Sequence, residues 1–206
     1  MSNYYDKFYG YTGFFPILEE GHLDCSHTQQ LRTLLAGLPN NRGSLFSSTG
    51  LVHGARMFII DDVVYNGHPT HEEHLEYNYL TLSMTFDGEL STLAERIATS
   101  ASVEWREIFR HCYGFPSDDL TAESILKHLQ QGQITTSFLY VDASGTLTQT
   151  LRALALQREV GFLLEKGQLL DTAGKRQLVN ELARRYAAMP DPVPGDFTTN
   201  AESLLK

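Results

Sequence analysis

Four short apolar stretches carry the pattern of strands, and six further stretches repeat apolar residues at helical spacing. The clearest strand is YNYLTLSMTF, residues 77–86. It puts Asn78, Leu80, Leu82, Met84 and Phe86 on one face and Tyr77, Tyr79, Thr81, Ser83 and Thr85 on the other. Residues 51–60 predict a strand through the run Met57-Phe58-Ile59-Ile60, paired antiparallel with the first across a polar connection holding Asn66-Gly67. YTGFFPIL, residues 11–18, predicts the opening strand. Its Pro16, with no N–H to give a ladder, points to an edge position or an early end. TTSFLYV, residues 135–141, predicts the last strand, closed by a turn at Ser144-Gly145.

The helices are marked by stripes and stops. Ser26 is placed to cap a helix whose Leu31, Leu34, Leu35 and Leu38 share a face, ended by Pro39, Asn40, Asn41 and Gly43. After a turn at Asp87-Gly88, Leu90, Leu93, Ala94 and Ile97 form a second stripe. A break near residues 99–102 separates it from Trp105, Ile108, Phe109 and Cys112, which Gly114 and Pro116 stop. A short helix over 122–129 and two C-terminal helices over 147–166 and 171–189 complete the reading.

The order β-α-β-β-α-β followed by helices is the ferredoxin-like split βαβ pattern, an α+β class with a four-stranded antiparallel sheet. Helices on one face leave the other uncovered. A second copy of the chain would cover it and make a dimeric α+β barrel. The organisation expected is a loose arm over 1–10, the ferredoxin-like domain over 11–145, C-terminal helices packed on it over 146–189, and a loose tail over 190–206.

Composition narrows the partners. The 206 residues carry 25 acidic and 16 basic side chains, a formal charge of −9, which disfavours nucleic acids and anionic membranes. The two cysteines, Cys25 and Cys112, are far apart and lack a CxxC partner, so neither a disulfide scaffold nor a structural zinc site is expected. Reduced thiols, and an opening MSNYYDKFYGY without the basic and apolar regions of a signal peptide, point to a cytoplasmic protein. No apolar run approaches the ~20 residues needed to cross a bilayer.

Several motifs occur in an order that resembles a known family. FFPILEEGHLD before a Leu-rich helix, the strand LVHGARMFIIDD, the junction LTLSMTFDGELSTL, the helix end IFRHCYGFP and SFLYVDASGTLTQTLRALAL are similar to stand-alone dimeric α+β barrel proteins, over about residues 11–165. That group is related to the superfamily of dye-decolorising peroxidases and small monooxygenases, with haem-degrading enzymes, aldoxime dehydratases and polyketide cyclases. The resemblance implies a fold and a homodimer more directly than a reaction. The peroxidases carry a G-x-x-D-G motif with a distal Asp. The matching stretch here runs from Met84 to Gly88, so the first Gly is absent and Asp87 stands at the Asp position.

Three residues carry the expected chemistry: His53, Arg56 and Asp87. His53 and Arg56 lie three apart on a strand and so point to opposite faces, unless a bulge at Gly54 intervenes. On this reading His53 shares a face with Ala55, Met57 and Ile59. In an apolar cavity it would serve as a haem ligand or a general base; the plainer alternative is a buried histidine bonded to backbone. Arg56 has the fork to hold a carboxylate or a haem propionate, but pairing with a nearby Asp or Glu is favoured. Asp87, before a helix, reads first as an N-cap.

His68, His71 and His74, with Glu72, Glu73 and Glu76 nearby, are of metal-ligating types, but the region reads as a solvated polar loop and no metal site is assigned. Cys112 falls on an apolar stripe and reads as packing, with His111 in the last helical turn. The expectation is a small-molecule enzyme, first a haem-dependent oxidoreductase with His53 and Arg56 on the haem. Two alternatives are a cofactor-free cyclase, dehydratase or lyase using His53 as base, and a non-catalytic binding or assembly protein.

Overall fold

The structure is a computed structural model and describes residues 3–19, 26–65, 67, 68, 71, 73–116, 120–136, 138–141 and 145–195. The predicted turn residues Asn66 and Ser144, the loop carboxylate Glu72 and the thiol of Cys25 lie outside these residues. The fold is α+β. An open four-stranded antiparallel sheet is built from β1 (Tyr4–Tyr5), β2 (Phe8–Pro16), β3 (Val52–Ile60) and β4 (Tyr79–Asp87), in the order β1-β2-β4-β3. Among the described residues there are seven helices: α1 (His27–Gly37), α2 (Leu45–Thr49), α3 (Leu90–Ser100), α4 (Ser102–Phe109), α5 (Ala122–Gly132), α6 (Leu147–Gly167) and α7 (Thr172–Ala188).

The alternation read in residues 77–86 sorts the sheet faces. Leu80, Leu82, Met84 and Phe86 are buried on the first face, opposite Phe15, Gly13, Tyr11 and Tyr9 of β2. Helices α1 to α5 lie on this side, and their stripes close the core: Leu31, Leu93, Ile97, Trp105, Phe109 and Ile125 are all essentially inaccessible. Ser26 caps α1 as expected, its side chain accepting from the Gln29 N–H. The short α2, capped by Ser44, lies where the sequence reading has only irregular chain. A five-residue helix is too short to show an apolar period.

Two expectations about the sheet edge are corrected. Residues 3–10 are not a loose arm. Tyr4 and Tyr5 pair with Tyr9 and Phe8 across a two-residue turn in which Asp6 takes a left-handed φ of 56°, a conformation Asp tolerates better than most residues. Phe8 is fully buried. This hairpin makes β2 an interior strand, so Pro16 marks its end and not an edge.

The second correction follows from the first. Among the described residues of 135–141 none is a strand; Ser137 lies outside them. The chain does begin to pair, through a bridge from Gln133 to Gly13 and a bond from the Ile134 N–H to the Thr12 carbonyl. Beyond that point the edge of β2 is already taken by Tyr4 and Tyr5. The Thr136 N–H therefore turns to the Asn3 side chain, and Leu139 crosses the second face above Gly10, where a Cβ would meet it at 2.7 Å.

The C-terminal helices join the domain through the start of α6. Leu147 and Leu151 are buried and the Leu147 N–H bonds to Asp87. Helix α7 lies against α6, tied by the Tyr186 hydroxyl to the Arg152 carbonyl. Towards the far end of the second face cover is thinner: Phe58 is 36% exposed, and Phe14, Ile60 and Tyr79 are half-buried. Among the described residues no helix is long and apolar enough to cross a membrane.

Candidate functional site

Strand β3 is an outer strand and carries a β-bulge. Val52 faces Phe86 while Gly54 faces Thr85, so His53 is the extra residue between them. A bulge breaks the two-residue alternation. Beyond it, Ala55, Met57 and Ile59 align with the first-face residues Met84, Leu82 and Leu80, whereas Arg56 aligns with Ser83 of the second face. His53 does not share the face of Ala55, Met57 and Ile59. Its ring meets the edge of Phe8 at 5.1 Å between centroids and reaches Asp87, and these two are register partners on the second face. The bulge therefore sets His53 and Arg56 towards the same side.

His53 Nε2 lies 2.9 Å from Asp87 Oδ1. Both side chains are mostly enclosed, 16% and 13% exposed. The second carboxylate oxygen, Oδ2, accepts the Leu147 N–H at 2.7 Å. That N–H is one of the four at the head of α6 with no partner inside the helix. Thr146 and Gln149 satisfy others through a reciprocal capping box. Asp87 is thus not the cap of α3; that position is Glu89, which makes no side-chain capping bond. Its carboxylate instead accepts from two donors far apart in sequence, one on β3 and one on α6. Against an ionised Asp87, which can only accept, a neutral His53 carries its proton on Nε2 and presents Nδ1 as a lone pair. Among the described residues Nδ1 has no hydrogen-bond partner.

A cleft of about 650 Å³ runs along this edge. Successive residues of β3, from Val52 to Met57, line it, which only an outer strand permits. One wall is the end of α1 and the loop into α2, with Leu35, Leu38, Asn40, Asn41, Ser44 and Ser47. The other is the start of α6, with Leu147 and Leu151, and Pro194 and Gly195 of the tail also line the cleft. His53 and Arg56 both line the cleft. Arg56 makes no ion pair with any described Asp or Glu, so the favoured structural pairing is not found. Its guanidinium lies over the Phe58 ring at 5.0 Å.

The remaining candidates lie elsewhere. His74 Nδ1 meets Asp62 Oδ2 at 2.7 Å, and the other oxygen of Asp62 accepts the Val63 and Leu75 N–H groups. The His74 bond and these backbone donors hold the Asp62 carboxyl low, at about 2. Asp62 thereby pins the hairpin connection. Among the described residues no three His, Cys, Asp or Glu side chains gather as a metal site would require. Cys112 is buried, and burial pushes its thiol up to about 12, far from a reactive thiolate. His111 is buried too, with its Nδ1 2.9 Å from the Nδ1 of His27. Burial, with the charges of Arg110 and His27 beside it, pushes the His111 imidazole below its ordinary value.

The sequence reading names His53, Arg56 and Asp87 but misses what joins them. The contact between Asp87 and α6 spans 60 residues, and no local pattern announces it. The Asn40-Asn41 pair reads only as a helix stop, although it forms part of the cleft wall. Comparison with known protein families, with curated proteins and with solved structures finds no match. The site must be read from its own geometry.

Proposed function

We propose that the cleft along β3 is a small-molecule active site in which His53, held by Asp87, acts as a general base without a cofactor. Base-initiated cyclisations, eliminations and lyase reactions begin with such a proton removal. The observation that carries this reading is the 2.9 Å contact between His53 Nε2 and Asp87 Oδ1 in a ring whose other nitrogen has no partner among the described residues. A carboxylate on one imidazole nitrogen fixes the tautomer and stabilises the imidazolium once the other nitrogen has taken a proton. Arg56, lining the same cleft, supplies a planar cation for an anionic group of the substrate.

Haem fits these residues less well. Asp87 occupies Nε2, the imidazole nitrogen that stands clear of the main chain. Nδ1 lies next to Cβ, where a planar macrocycle would meet β3 itself. Absorption spectra with added hemin, with His53→Ala alongside, test the choice. The proposal expects no saturable Soret band that depends on His53; such a band, lost in the variant, would overturn it.

The same reading takes the chain as a ferredoxin-like unit that dimerises. The order β2-β4-β3 is that of the first, third and second strands of such a unit, and β1 stands where the fourth would be. The thinly covered part of the second face, around Phe58 and Tyr79, is where a second copy would pack. Sedimentation at micromolar concentration should give twice the chain mass of 23.2 kDa; a monomer would remove this part of the proposal.

A further inference from the structure

We infer that the ligand of the cleft is a small organic monocarboxylate, its carboxylate on Arg56 and its apolar body directed towards His53. This rests on the general-base reading for the role of His53, but its binding half stands on separate observations. The first is the state of Arg56. Several described arginines are matched to carboxylates: Arg32 with Asp61, Arg110 with Glu107, Arg152 with Asp191 and Arg184 with Glu181. Arg56, like Arg96, Arg106 and Arg176, has no such partner among the described residues, but it lines the cleft and is the only Lys, Arg, Asp or Glu among the described residues that do. The Phe58 ring lies against its guanidinium and leaves the donor edge to be used.

The second observation is the charge at the other end. Asp87 stands behind His53, so an anion placed there would face a carboxylate across the imidazole ring. The cleft is therefore polarised. A negative group is favoured at Arg56, and a neutral, proton-bearing group at His53. One guanidinium in a chain of net charge −9 offers one anion-binding fork, which suits a monoanion and disfavours a phosphate dianion.

The third observation is the wall between them. Leu35, Leu38 and Met57 on one side and Leu147 and Leu151 on the other make an apolar channel. Three strand residues at about 3.3 Å each bound the separation of the His53 and Arg56 Cα atoms at about 10 Å. A carboxylate alone is too short to use both ends, whereas an acid with a chain of several carbons or a ring spans them.

Calorimetric titration of the full chain with acetate, butanoate, hexanoate, octanoate, hexanol, hexylamine and hexyl phosphate tests the inference. The expected result is saturable hexanoate binding, with affinity rising about fourfold per added methylene beyond butanoate. Arg56→Gln should weaken it by about tenfold or more, the loss of one charge-assisted bond pair. Arg56→Lys, which keeps the charge but not the fork, should fall between the two. Hexanol, hexylamine or hexyl phosphate binding as tightly as hexanoate would overturn the monocarboxylate assignment, and so would an indifferent Arg56→Gln or the absence of saturable acid binding. Histidine NMR on the same samples separates the two layers. If hexanoate binds through Arg56 while the His53 signals stay unmoved, the carboxylate site at Arg56 stands, and the placement of the apolar body at His53 fails together with the general-base reading.

Discussion

His53 and His128 are both largely removed from solvent, yet their surroundings make opposite uses of an imidazole. His128 lies on α5 with its ring stacked on Phe15 at 4.8 Å and met by Phe109 and Phe115 at 5.4 and 5.3 Å. It bonds to the backbone at Gly114, and its Nε2 is buried without a partner among the described residues. Burial pushes it down to about 4, so it stays neutral and works as an aromatic core residue. His53 sits at a bulge on an open edge, with a carboxylate on one nitrogen and a cleft beside it. Burial alone silences a histidine; on the proposed reading a fixed acceptor on one nitrogen, with room at the other, is what gives His53 its chemical role.

This contrast can be broken in several ways, and the packing of the cage gives the largest effect. Phe109→Ala removes a ring that touches Phe15, Trp105, Phe115 and His128, and should cost about 3–5 kcal/mol in urea unfolding. The NMR signals of His53 should not move. A loss under 1 kcal/mol would mean the cage is not tightly packed.

The acid response of His128 comes next. Its ordinary value of 6.5 falls to about 4 in the folded chain, so between these values the unfolded chain binds the extra proton. The stabilising contribution is whole above about pH 6.5 and is lost as the pH falls towards 4, by on the order of 3 kcal/mol in total. Unfolding curves between pH 7 and 4 should show this loss, and His128→Leu should flatten it. An unchanged slope in the variant would assign the acid sensitivity to other groups.

Smaller effects sharpen the other side of the contrast. Asp87→Ala strands the His53 ring and the Leu147 N–H together, and should cost about 1–3 kcal/mol with faster amide exchange at the head of α6. Unchanged exchange at Leu147 would show that Asp87 does not anchor the helix. Two glycines then report local room. A Cβ at Gly132 would stand 2.5 Å from the Phe15 ring, so Gly132→Ala should cost about 1–3 kcal/mol by overpacking. Nothing lies within 4 Å of a Cβ at Gly54, so Gly54→Ala should stay within about 0.5 kcal/mol. The reverse order would contradict the picture of a sealed cage and an open edge.

Much of this architecture is legible in the sequence because its signals are local. The alternation of Leu80, Leu82, Met84 and Phe86, the Ser26 cap and the Leu93-Ile97 and Trp105-Phe109 stripes each need only a few neighbouring residues. The failures are competitions between distant segments. TTSFLYV has the composition of a strand, but Tyr4 and Tyr5 already hold part of the edge it would join. His53, Arg56 and Asp87 stand out singly by residue type. Their grouping depends on a one-residue bulge that moves every later side chain of β3 to the other face, and on a helix that begins 60 residues after Asp87. The Gly in HGAR permits that bulge but does not announce it.

The central claim is that Asp87 fixes His53 with the proton on Nε2 and a lone pair on Nδ1. Nitrogen-15 NMR of the histidine-labelled full chain at pH 9 reads this directly. The account predicts a His53 ring held in the Nε2–H tautomer, with this preference lost in Asp87→Asn. A His53 found in the Nδ1–H tautomer, or unchanged by Asp87→Asn, would contradict it.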